Sequence, residues 1–223
     1  MTQPLTRAQL AGMIDHAVLS IMAGRADVAA ACALARQLKV ASVCVKPCHV
    51  TQAAGLLEGS GVLVSTVVSF PHGADSTSLK AKLARAAIAD GAGELDMVIN
   101  IGALIEGDLE GVEKDIAAVV AAAQGRYVKV ILECAMLTDP KKLVGCQLAL
   151  DAGACFVKTS TGFAAGGATV EDVRLLRAAV GDRAGVKAAG GIRTLAQAQA
   201  MIAAGANRLG TSSTAEILAE LPA

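Results

Sequence analysis

The sequence predicts an α/β fold: a single-domain (β/α)8 barrel of the TIM type over residues 1–223, with a short N-terminal helix ahead of the first strand. Three observations carry that expectation. Short apolar runs recur with helix-like segments between them, at intervals of roughly 22 to 33 residues, the length of a strand–loop–helix–loop unit. There are eight such runs, as a closed barrel of this type requires. The 223 residues contain no linker rich in Pro, Gly or Ser, and single α/β barrels run at this size. Hydrophobic residues make up 54% and aromatics only 2%, so the core is expected to be built from Ala, Val, Leu and Ile, which suit the layers of a barrel interior.

The strand candidates are Ile14 to Val18, Ser42 to Val45, Val62 to Val68, Leu95 to Ile99, Val128 to Leu132, Phe156 to Val157, Val186 to Ala188 and Arg208 to Gly210. Two are too short to stand alone and rest on the rhythm. Asp27 to Leu38, Ser78 to Asp90, Leu109 to Ala123, Pro140 to Asp151, Val170 to Val180 and Leu195 to Ala203 are Ala/Leu-rich segments with charged faces, and read as helices. Thr138 or Asp139, Thr169 and Thr194 are candidate N-caps, with glycine stops at Gly91, Gly125, Gly153, Gly181 and Gly205. A doubly wound open sheet also alternates β and α. The barrel is preferred because no dinucleotide glycine fingerprint follows the first strand and polar residues cluster after many strands.

Composition excludes several classes. The formal net charge is zero with no basic stripe, so nucleic acid is not expected as a partner. The longest apolar runs, such as Ile116 to Ala123, fall short of the roughly 18 residues of a membrane span. Met1 to Arg7 has no secretory hydrophobic region. Cys32, Cys44, Cys48, Cys134, Cys146 and Cys155 are scattered and read as reduced structural thiols of a cytoplasmic protein. No Cys-x-x-Cys occurs, and His16, His49 and His72 are not at metal-ligand spacing, so no metal site or cofactor is expected.

In a barrel all strand C-termini open onto one face, where the active site lies. That face would gather Asp15, His16, Lys46, His72, Asp96, Asn100, Glu133, Lys158 to Thr161, Lys187 and Thr211 to Ser213. Lys158 follows the buried run Phe156-Val157. Burial or a second cation there would lower its pKa from about 10.4 and leave a nucleophilic amine. The alternative is a lysine that snorkels or pairs with a carboxylate. Lys187 stands at the close of the next strand, again just before glycines. Two lysines at matched heights about 4 Å apart, at an effective dielectric of about 20, would repel by about 4 kcal/mol, nearly the shift Lys158 needs. Asp96, flanked by apolar residues, is read as functional or as the partner of a lysine. Asp15 either orients a substrate hydroxyl or bonds to His16 and nearby backbone. Glu133 leans to a supporting role, His49 and His72 to loop or capping positions, and Cys44 and Met97 to packing. Gly190-Gly191 and Gly210-Thr211-Ser212-Ser213 follow the last two strands, where such barrels hold phosphate; an ordinary glycine turn with a Ser N-cap is the alternative.

At these residues the chain resembles the class I, Schiff-base deoxyribose-phosphate aldolases. The matching segments are Ile14-Asp15-His16, Ala41-Ser-Val-Cys-Val45, Glu94-Leu-Asp-Met-Val-Ile-Asn-Ile-Gly-Ala103, Phe156-Val-Lys-Thr-Ser-Thr-Gly-Phe163 with Gly166 to Thr169, Val186-Lys-Ala-Ala-Gly-Gly-Ile-Arg-Thr194 and Arg208-Leu-Gly-Thr-Ser-Ser213. The resemblance implies a metal-independent reversible aldol reaction that cleaves 2-deoxyribose 5-phosphate to acetaldehyde and glyceraldehyde 3-phosphate. It gives Lys158 the Schiff base, Asp96 acid/base work through water, and Lys187 the task of holding Lys158 neutral and sharing the proton relay. Gly162, Gly190, Gly191, Ser212 and Ser213 match phosphate-binding positions; Asp15 and Thr159 complete the expected substrate-binding set. Ala17 and Cys134 depart from the family pattern by removing hydroxyls near the presumed pocket, which bears on the sugar preferred. A Schiff-base aldolase for another phosphorylated sugar and a non-catalytic barrel that binds a phosphometabolite are the alternatives. Barrels of this kind often form homodimers, although the Ala-rich surface marks no interface.

Overall fold

The structure, a computed structural model, describes residues 5–221; residues 1–4 and 222–223 of the expected domain, including the start of the Met1 to Arg7 segment, lie outside the described residues. Eight parallel strands close into a barrel in chain order: β1 (Ile14–Val18), β2 (Ser42–Val45), β3 (Leu63–Val68), β4 (Glu94–Val98), β5 (Tyr127–Ile131), β6 (Phe156–Lys158), β7 (Gly185–Ala189) and β8 (Arg208–Thr211). Pairing of β8 with β1, through Asp15 opposite Gly210, closes the ring and excludes the open sheet. Strands β4 and β5 begin one residue earlier than their apolar runs, and β6 reaches Lys158. Glu94 and Lys158 join their strands with side chains that find partners inside.

Among the described residues ten α-helices surround the barrel: α1 (Arg7–Ala11), α2 (Arg25–Leu38), α3 (Val50–Leu57), α4 (Thr77–Ala89), α5 (Ile101–Glu106), α6 (Leu109–Ala122), α7 (Asp139–Asp151), α8 (Val170–Val180), α9 (Leu195–Ala203) and α10 (Thr214–Ala219). The expected short N-terminal helix is α1, started by a capping box between Thr6 and Gln9. Thr169 and Thr194 cap α8 and α9 with their side chains, whereas Thr138 occupies the N-cap position of α7 without a side-chain bond. The short helices α3 and α5 were not marked by the sequence reading. Each is shorter than the window of about 11 residues over which a helical apolar pattern is read.

The apolar core lies between the strands and the helices. Val43, Val45, Leu95, Met97, Val128, Val130, Val157, Val186, Ala188 and Leu209 all belong to it. Strand alternation turns their neighbours the other way, and these include Ser42, Ser65, Glu94, Asp96, Lys129, Lys158 and Lys187, all buried. The expectation of an interior layered with Ala, Val, Leu and Ile is therefore corrected. Most of those residues face the helices, and charged side chains take up much of the barrel interior.

A second buried ion pair ties the outer layer to β4. Lys80 on α4 donates to Asp115 on α6 at 2.5 Å and to the Val98 carbonyl at 3.0 Å, with Lys80 fully buried. Removing one member leaves the other charged and unpaired. Lys80→Met will lower the stability measured by urea unfolding by about 3–5 kcal/mol, and the pair Lys80→Met with Asp115→Leu will recover most of that loss.

Candidate active site

Seven ionisable side chains meet inside the barrel, and strand register brings them there. Lys158, Lys187 and Arg208 stand abreast on β6, β7 and β8, since Lys158 pairs with Lys187 and Lys187 with Arg208. Glu94 and Asp96 are two residues apart on β4 and share a face; Lys129 on β5 pairs with Asp96, and Asp15 faces in from β1. Lys158 Nζ donates to Asp96 Oδ2 at 2.8 Å, and Lys187 Nζ donates to the same oxygen at 2.7 Å and to Asp15 Oδ2 at 2.5 Å. Lys129 Nζ holds Asp96 Oδ1 at 2.9 Å and Glu94 Oε2 at 2.6 Å. Arg208 Nη1 reaches Asp15 Oδ1 at 2.6 Å and Glu94 Oε2 at 3.2 Å, and Ser42 Oγ donates to Asp15 Oδ1 at 2.7 Å.

Local sequence makes room for these contacts. Gly210 has no side chain where a Cβ would stand 3.2 Å from Lys187 Cε, so the Lys187 stem can cross toward Asp15. Below, the Phe156 ring packs directly over Gly185, where a Cβ would collide with it, and the Arg208 guanidinium lies 5.6 Å from the ring centroid.

The lysines titrate in opposite directions. Burial lowers the pKa of Lys158, Asp96 opposes that shift and Lys187 adds to it. For Lys187 burial works against the charge, but Asp15 and Asp96 outweigh it and raise the pKa. Burial likewise disfavours the Asp96 carboxylate, yet Lys129, Lys158 and Lys187 hold its pKa well below the ordinary value. The sequence left burial and a second cation both open as sources of the Lys158 shift, with repulsion nearly sufficient alone. In the structure burial comes first, and the repulsion from Lys187 is smaller than the opposing attraction of Asp96.

A cavity of about 580 Å³ opens above this network at the strand C-termini. Lys158, Lys187 and Asp15 form part of its floor, and Gly162, Gly190, Gly191 and Ser212 line it. Gly190 and Gly167 approach backbone to backbone, with the Ala168 amide donating to the Gly190 carbonyl at 3.0 Å; a Cβ on Gly167 would stand 2.4 Å from that oxygen. The loops after β6 and β7 are thereby fastened together. Thr211 Oγ1 joins the loop after β8 to them through the Ile192 carbonyl at 2.7 Å.

Several expected residues fall elsewhere. Thr159 is fully buried, its hydroxyl donating to the Ala189 carbonyl and accepting from the Ala189 amide, so it ties β6 to β7 and does not line the cavity. Ser213, likewise outside the lining, sits at the N-cap position of α10, and its amide donates to Thr211 Oγ1. Asp15 makes no bond to His16. Alternation turns His16 outward, where Nδ1 pairs with Thr214 Oγ1 at 2.8 Å. Glu133 accepts from the Thr161 amide at 3.2 Å and from its hydroxyl, which supports the loop after β6. Asn100 caps α5, and Lys46 holds the loop after β1 through the Ile21 and Ala23 carbonyls. His72 is exposed and His49 sits at the N-cap position of α3, as expected of loop and capping residues. Ala17 lines the cavity, but the buried Cys134 does not; Cys44, read as packing, does. Lys129, Glu94 and Arg208 were missed. The signal was present, since Glu94 and Asp96 alternate with apolar neighbours and Lys129 sits between two valines.

The family model for DeoC/LacD family aldolases matches residues 10–218. The chain belongs to the DeoC/LacD aldolase family. A relative named deoxyribose-phosphate aldolase 1, from Bacillus licheniformis, is 54% identical and the match covers 96% of this chain and 97% of the relative. Among solved structures, a putative deoxyribose-phosphate aldolase from Coccidioides immitis superposes with a TM-score of 0.95 at 40% identity, covering 98% of this chain and 88% of that one. The deoxyribose phosphate aldolase from Aeropyrum pernix, described as tetrameric, gives 0.90 at 33% identity over 96% and 91%. The two solved structures share the barrel fold with this chain.

The network makes the fold acid-sensitive. Asp15 and Asp96 have folded-state pKa values held below the ordinary carboxylate value, the cations outweighing burial. Their stabilisation is present above the unfolded value of about 3.9 and is lost as pH falls below it toward the folded values. Urea midpoints will fall steeply below about pH 4, and Asp15→Asn will flatten that fall by roughly 1–3 kcal/mol while lowering stability at neutral pH.

Proposed function

We infer that this chain is a class I deoxyribose-phosphate aldolase, reversibly cleaving 2-deoxy-D-ribose 5-phosphate to D-glyceraldehyde 3-phosphate and acetaldehyde through a Schiff base on Lys158. One observation carries the reading. A buried lysine with a lowered pKa stands on the floor of a cavity and shares a carboxylate oxygen with a second lysine whose pKa is raised.

Neutral Lys158 attacks the C1 aldehyde, and loss of water leaves an iminium that draws electrons from the C2–C3 bond. The C3 hydroxyl proton passes through water to Asp96, the C2–C3 bond breaks, and the aldehyde formed at C3 is glyceraldehyde 3-phosphate. The enamine takes a proton at C2, and hydrolysis of the resulting iminium releases acetaldehyde and the free amine. Asp96, surrounded by cations, is a weak base alone. Proton transfer therefore uses the Asp96–Lys187 pair, in which each proton gained by one group is offset by its neighbour. Gly162, Gly190, Gly191 and Ser212 supply the phosphate end, where positive-φ backbone at the three glycines lets loop amides approach an anion closely. Arg193 lines the same end and adds a cation. No metal or cofactor enters the scheme.

Among the described residues no helix is long and apolar enough to cross a membrane, and the six cysteines are unpaired, in keeping with a cytoplasmic setting. A homo-oligomer, a dimer at least, is part of this reading and is supported by the tetramer described for the Aeropyrum pernix neighbour. Ala17 in the lining favours a second reading, in which another phosphorylated sugar is cleaved faster; relative kcat/KM values over a panel of sugar phosphates separate the two.

Borohydride with acetaldehyde will attach a reduced two-carbon adduct to Lys158, located by peptide mass spectrometry. Lys158→Leu will lose activity by 10³-fold or more, roughly the loss of a covalent catalyst; turnover near the wild-type rate would end the Schiff-base reading. Lys187→Leu will displace the acidic limb of kcat/KM to higher pH, because a cation that disfavours protonated Lys158 has gone.

A further inference from the structure

Arg208 and Glu94 lie below the cavity, line no part of it and take no part in the scheme above. Glu94 is buried and the Arg208 side chain is 13% exposed. We propose that these two are positioning residues that set the protonation state of Lys158 from beneath, by fixing a one-charge excess of cations over carboxylates inside the barrel.

The count comes from groups that face Lys158 from every strand. Asp15 enters from β1, Cys44 from β2, the non-titrating Ser65 from β3, Glu94 and Asp96 from β4, Lys129 from β5, Lys187 from β7 and Arg208 from β8. Burial raises the Cys44 thiol, which therefore stays neutral. Among the described residues the network then holds Lys129, Lys158, Lys187 and Arg208 against Asp15, Glu94 and Asp96, a formal excess of one positive charge. A closed, water-poor interior favours shedding that excess as a proton. Arg208 cannot lose one. Lys187 and Lys129 each donate to two carboxylates within 3 Å. Lys158 has Asp96 alone and opens to the cavity, so the proton leaves there.

Contact geometry carries each remote charge to Lys158. Arg208 occupies Asp15 Oδ1, and Lys187 bridges Asp15 Oδ2 and Asp96 Oδ2. Without Arg208, Asp15 draws Lys187 to itself and Asp96 Oδ2 is freed to hold a protonated Lys158. Glu94 shares Lys129 with Asp96. Without the Glu94 charge, Lys129 turns wholly to Asp96, which then holds protonated Lys158 less well. The direct Coulomb effects have the same signs as these rearrangements.

The inference rests on the Schiff-base reading of Lys158, and one experiment distinguishes their failures. The rate of reductive trapping of acetaldehyde on Lys158 by cyanoborohydride is measured from pH 5 to 9 by mass spectrometry; acetaldehyde itself does not titrate. Arg208→Met, which keeps the stem over Phe156, will raise the midpoint by about one pH unit, and Glu94→Gln will lower it by about one. Arg208→Lys will stay near wild type. The double variant Arg208→Met with Glu94→Gln will return toward the wild-type midpoint, a reversal that a merely structural role would not produce. If Arg208→Met does not fold, Glu94→Gln decides alone. A midpoint for Glu94→Gln that is unchanged or raised, with trapping intact, overturns the inference. Absence of a wild-type adduct on Lys158 removes the Schiff-base reading and this inference with it.

Discussion

A single carboxylate oxygen, Asp96 Oδ2, accepts from two buried ammonium groups at 2.8 and 2.7 Å, and the rest of the interior is arranged around that conflict. The two nitrogens can be no farther apart than those two bonds laid end to end. At that range, away from water, two full charges repel strongly. The conflict is relieved when one of them gives up its proton. Lys187 is also bound by Asp15, whereas Lys158 has no further acceptor, so the asymmetry between two residues of the same type is set by how many carboxylates each one meets.

That asymmetry is a product of strand geometry. Parallel neighbours in register put Lys158 and Lys187 side by side on adjacent strands, and closure of β8 onto β1 brings Asp15 within hydrogen-bond reach of Lys187 but not of Lys158. Residue size grades the barrel from one end to the other. Phe156, Arg208 and Glu94 close the N-terminal end, while Ala17, Cys44, Ala189 and Gly210 are small and leave the cavity open at the other. The gradient keeps charged groups dry below and the reactive amine accessible from above.

Much of this was legible in the sequence. Eight apolar runs at a regular spacing gave the barrel, and Lys158, Lys187 and Asp96 could be singled out because charge at the end of an apolar strand demands an explanation. Lys129 and Arg208 escaped notice because they sit within or at the start of a strand, where an isolated cation resembles an ordinary exposed residue. Their role depends on which carboxylate lies across the barrel, and the register that decides this comes from closure of the whole sheet. Thr159 misled in the opposite way. Its place next to Lys158 suggested the cavity, but strand alternation turns consecutive side chains to opposite faces, and its hydroxyl serves Ala189.

Burying this many charges is costly, and burial pulls the Lys158 pKa below that of a free lysine. A simpler interior, with one lysine in an apolar pocket, would also yield a neutral amine. It would offer no group to receive a hydroxyl proton in the proposed cleavage. Placing Asp96 against Lys158 opposes the shift that burial produces, and Lys187 restores part of it while staying within reach of the same oxygen. Arginine at 187 would supply the positive charge equally well, but a guanidinium does not release its proton in a protein interior. In the proposed reaction a lysine at 187 suits the second cation, because it would serve both as a charge that disfavours protonated Lys158 and as an acid in the proton exchange.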